Sequence, residues 1–76
     1  MDRAQWAINL LRDDTFREVL EELRGVEMSR ILMSDYDEVH DREDAYTRLR
    51  VLESIENHIE GMADQKKIDA KRLKIL

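Results

Sequence analysis

The stretch DREDAYTRLRVLESIENHIEGMA, residues 41–63, decides the fold. Ala45, Leu49, Leu52, Ile55, Ile59, Met62 and Ala63 recur in it at three- and four-residue spacing, and Tyr46 and Val51 flank that stripe. Such a period builds a helix with one apolar face. Asp41 is the predicted N-cap, with Glu43 and Asp44 in the dipole-favoured first turn. No proline follows, so the helix is predicted over residues 41–73, roughly 33 residues and ~50 Å. Gly61, which costs about 1 kcal/mol in a helix interior, is the candidate bend, with Asp64 restarting the last segment.

Working back from this stretch, Ser34 to His40 breaks the period and reads as a loop. A second helix is predicted over residues 15–33. On a helical wheel Phe16, Val19, Leu20, Leu23 and Val26 lie within roughly 120° of one another and form its expected core stripe. Met28 and Leu32 fall outside that arc, roughly 120–160° from Phe16, a reach that a single neighbouring helix does not require. Two readings stand for them: wrapping by another part of the chain, or a second interface.

Either Asp13 or Asp14 can cap this second helix. A first, short helix is predicted over residues 2–11, with Asp2 as N-cap and Trp6, Ala7, Leu10 and Leu11 on one side. Ten residues do not hold a helix alone in water, so it must pack on the others. Trp6 is either its core anchor or a partner-binding tryptophan. The expected architecture is all-α: an antiparallel helical hairpin with the short N-terminal helix packed on it, a single domain completed by oligomerisation.

Composition supports that last step. The chain has 76 residues, no cysteine and no proline, and 41% of its residues are charged. A core this small is marginal, and without disulfides or thiolate metal sites a partner surface is the remaining route to stability. Charge is divided unevenly. Residues 1–64 carry eight arginines, no lysine and seventeen acids, a net of −9, whereas residues 65–76 carry five cations against Asp69, a net of +4. An acidic body with a basic end suggests electrostatic docking. No apolar run approaches the ~20 residues of a membrane span. The first residues lack the layout of a signal peptide, so a cytoplasmic protein is expected.

Catalytic chemistry finds no footing. The loop Asp35–Asp41 fails the calcium-loop spacing, because Val39 and His40 stand where an oxygen ligand and a glycine are needed. His40 and His58 belong to no zinc pattern, and Ile55 precedes His58 by three where a di-iron bundle needs glutamate. No serine sits in a nucleophile elbow, and no glycine-rich phosphate loop exists. The expectation is therefore no enzyme, no metal, no cofactor and no small-molecule substrate.

The residues left for binding are of two kinds. Trp6, Phe16, Met28, Leu32 and Tyr46 are the candidate anchors of a partner interface with another copy or another protein. Lys66, Lys67, Lys71, Arg72 and Lys74 are candidate contacts to an anion, to nucleic acid or to a neighbour's acidic body; Lys67, Lys71 and Lys74 would line one side of a helix. No aromatic is interleaved, so any nucleic-acid contact would be unspecific. An acidic decoy that occupies a basic site on a host protein ranks last, since the acids are mixed with arginines.

The layout of residues 4–11, Asp14-Thr15-Phe16 and residues 41–59, with Ala45-Tyr46 and Leu49-Arg50-x-Leu52 in the third helix, resembles small helical proteins encoded in tailed-phage and prophage genomes. The resemblance implies a non-enzymatic assembly or accessory role, in the virion or in DNA packaging. It carries over no functional residues.

Overall fold

In the computed structural model the chain is described from residue 2 to 75, with side chains from 2 to 68. The described residues form three helices: α1 (Arg3–Arg12), α2 (Asp14–Leu32) and α3 (Val39–Ile75). α1 and α2 both pack on α3 and scarcely on each other. The molecule measures 60 × 24 × 15 Å. Its long axis is α3, whose 37 residues rise ~55 Å as a helix.

Aspartates set the starts of the first two helices. The Asp2 carboxylate accepts the Gln5 N–H at 2.7 Å, and the Asp13 carboxylate accepts that of Phe16 at 2.8 Å. Asp13 alone separates α1 from α2, and its own N–H closes α1 on the Leu10 carbonyl. Each cap satisfies a backbone donor that the first helical turn would otherwise leave open.

α3 departs from expectation at both of its landmarks. It starts at Val39, so Asp41 lies inside its first turn instead of capping it. The Glu38 carbonyl receives the Arg42 N–H, while the Glu38 carboxylate reaches back to the Asp35 N–H. Gly61 causes no break, because the helix continues through it to Ile75. A Cβ at Gly61 would meet nothing within 4 Å, so no close packing singles out the position.

The core sits where α1 crosses α3. Ala7, Ile59 and Ala63 are buried there, with Ile8, Leu10, Leu11, Phe16 and Met62 packed around them. Two alanines at the crossing let the helix axes approach closely. Farther along, Leu20 of α2 and Ala45 of α3 are also buried.

Candidate interaction surface

The seam between α2 and α3 combines buried Leu20 and Ala45 with two ion pairs. Glu27 is 8% exposed, a rare state for a carboxylate. It accepts from the Arg48 guanidinium at 2.8 Å and lies 3.6 Å from that of Arg30. Along the same seam Arg24 donates to Glu56 and, at 3.1 Å, to Glu21. Its hydrogen bond to Glu56 raises the Arg24 guanidinium above its ordinary pKa, and the attraction of both glutamates adds to this against the cost of partial burial. These charges share the buried side of α2. On the wheel Glu27 and Arg24 lie within about 40° of Leu20. The buried side of α2 is therefore centred on Leu20 and Glu27, with Phe16 at its edge, and Val19, Leu23 and Val26 of the apolar stripe fall outside it.

That part of the stripe is left open as a result. Val19, Leu23 and Val26, expected in the core, are all about half-exposed. Their side of the hairpin can be identified. Ser29 and Arg30 of α2 and the capping Met33 line one hollow with Asp41, Asp44 and Arg48 of α3, whereas Arg17, Glu21 and Arg24 line another with Glu56. Val19, Leu23 and Val26 lie within about 80° of Met33 on α2, and Val51 and Ile55 within about 60° of Asp44 and Arg48 on α3. Both sets thus face the first side. The antiparallel pairs Glu27–Arg48 and Arg24–Glu56 set the register, which brings Val26 alongside Val51 and Leu23 alongside Ile55.

Trp6 closes this strip at one end. It is 48% exposed and lines a hollow with Ile55, His58, Ile59 and Met62. The Arg3 guanidinium lies on the Met62 sulfur at 3.8 Å. Trp6, Val19, Leu23, Val26, Val51 and Ile55 therefore form one apolar groove between α2 and α3, unroofed except where α1 crosses. A continuous exposed patch of this kind marks an interaction surface more often than scattered apolar residues do.

The expected anchors divide among three places. Trp6 stands on the groove. Phe16 is half-buried against the α1–α3 core, so much of its surface is already used within the chain. Met28, Leu32 and Tyr46 are exposed, Leu32 to 78%, and their wheel positions put them on the opposite edge of the hairpin, toward its loop. Sequence reasoning missed Val19, Leu23, Val26, Val51 and Ile55 as surface residues. The available signal was Glu27 and Arg24, two charges in line with Leu20.

Of the basic end, Lys66 donates to the Gln5 side chain and Lys67 is exposed. Lys71, Arg72 and Lys74 lie outside the described side chains. The loop before α3 is tied down by Arg42, which donates to the Ser34 hydroxyl and to the carbonyls of Asp35 and Tyr36. Among the described residues, no group of three or more His, Asp or Glu side chains could hold a metal ion, and no helix is long and apolar enough to cross a membrane.

No family model, no curated protein and no solved structure matches this chain.

Proposed function

We propose that this is a non-catalytic helical interaction protein that works by docking through the Trp6–Val26–Val51 groove. The single observation that supports this reading is that Val19, Leu23 and Val26 of the α2 stripe lie outside the seam that Glu27 and Arg24 share, half-exposed on the side of Val51 and Ile55. A chain this small has little apolar area to spare. Holding much of it at the surface while ion pairs occupy the seam is consistent with selection for binding over monomer stability. The groove would supply the binding energy, and the charged rim of Asp44, Arg48 and Arg3 would set orientation.

The resemblance to small phage-encoded helical proteins supports one biological setting for such docking, a virion or packaging assembly. A photo-crosslinking residue in place of Val51, introduced in the cells that make the protein, tests the reading. A discrete adduct is expected at Val51 and none at Arg50, which faces away from the groove. No adduct at Val51 would overturn it.

A further inference from the structure

We infer that the occupant of the groove is a second copy of this chain, packed with its α3 antiparallel to the first about a two-fold axis level with Glu53; this rests on reading the groove as a docking surface.

α3 carries a second row of residues on its open side. Asp44, Arg48, Val51, Ile55, His58 and Met62 recur at alternating spacings of four and three. Positions so spaced lie on one side of a helix, here with Val51, Ile55 and Met62 as the apolar members. The row shares Ile55 and Met62 with the edge of the core stripe, Met62 being half-buried against α1, and its Val51–Ile55 stretch runs along the open groove. About residue 53 these positions pair as Val51 with Ile55, Arg48 with His58, and Asp44 with Met62, and the central pair is alike in chemistry. Asp44 and Met62 are five helical turns apart, so they lie on one line of the helix surface ~27 Å from each other.

A two-fold axis across the groove exploits that pairing. Residue i of one copy then meets the mirror residue of its partner, as a closed isologous interface requires. Val51 falls on Ile55 of the other copy, and Leu23 and Val26 of α2, which flank the same level, fall on their counterparts. The centre of the contact is therefore wholly apolar.

Charge complements it at both ends. Arg3 sits on the Met62 sulfur, so the rotation brings Arg3 opposite Asp44 of the second copy. Because the interface is isologous, the contact occurs twice. Both side chains are exposed in the single chain. A parallel stacking of α3 on α3 would instead set Asp44 against Asp44 and Arg3 against Arg3, placing like charges together at both ends.

The test is a charge exchange, read as the dimer dissociation constant by sedimentation. Arg3→Asp alone and Asp44→Arg alone each create two like-charge contacts and should weaken dimerisation about tenfold. The double variant restores both contacts with reversed sign and should return to within a few-fold of the parent. Asp is favourable in the first turn of α1, and Asp44 is solvent-facing, so helix content by circular dichroism should be unchanged in all three. A double variant as weak as the singles, or singles with no effect, would overturn the antiparallel arrangement. A chain that stays monomeric at every concentration would overturn self-association, even if Val51 still captured another protein in the cell.

Discussion

Two adjacent residues on α2 should contribute to stability in the reverse of their usual order. Glu27 lies in the seam and Val26 on the open groove, so replacing the charge should destabilise the fold more than introducing one beside it. Glu27→Ala removes the acceptor of Arg48 at 2.8 Å and the neighbour of Arg30 at 3.6 Å. Hydrogen bonds to a charged group contribute about 1.5–3 kcal/mol. The Arg30 pair, exposed on its arginine side, adds a few tenths at most. Arg48 is half-exposed and can recover water once its partner is gone, so the ~3–5 kcal/mol cost of stranding a buried charge does not apply. Glu27→Ala should therefore cost ~2 kcal/mol. Val26→Glu exposes a side chain that is already half in water and should cost ~1 kcal/mol or less. In a domain of this size each kcal/mol lowers Tm by about 4–8 °C. Thermal melts by circular dichroism, run dilute enough that association adds no stability, should show the larger drop for Glu27→Ala. A larger drop for Val26→Glu would refute the rotated seam.

Three further outcomes follow from the packing. Gly25→Ala and Gly61→Ala, where a Cβ would meet nothing within 4 Å, should each raise stability by about 1 kcal/mol in chemical denaturation; a loss at Gly61 would mean that the helix bends there. Ala7→Leu, at a fully buried position on the α1–α3 crossing, should overpack the core and cost about 1–3 kcal/mol, with protection from hydrogen exchange lost first in α1; an unchanged exchange pattern would contradict the crossing. Arg42→Ala frees the loop that it ties at three points, so amide exchange should quicken over residues 34–38 with little change in global stability. Unaltered exchange there would show that the loop holds itself.

The helices were legible because their period and caps are local properties. Asp2 and Asp13 sit ahead of apolar repeats, and the Ala45–Ala63 spacing fits only a helix. The start of α3 was not legible, since Glu38 spends its carboxylate on the loop and Val39-His40 resembles no first turn. The rotation of α2 was harder still. A hydrophobic wheel weighs Phe16, Val19 and Leu23 and treats Glu27 as solvated. Which side is buried depends on Arg48 and Glu56, residues far along the chain that only the hairpin register brings opposite. The groove followed from that rotation. Trp6 could be singled out in advance, whereas its neighbours Val51 and Ile55 became a surface only once α1 was seen to cover one end of α3 and no more.

Whether the open groove is where this protein associates shows in its solution mass from light scattering after size exclusion, at physiological and at high salt. A single chain is 9.1 kDa. Twice that mass is expected under both conditions, because apolar burial at the centre of the contact survives screening that weakens only the charged rim, with reversion to one chain in Val51→Glu. A folded protein with the mass of one chain at every concentration and salt would contradict self-association through the groove.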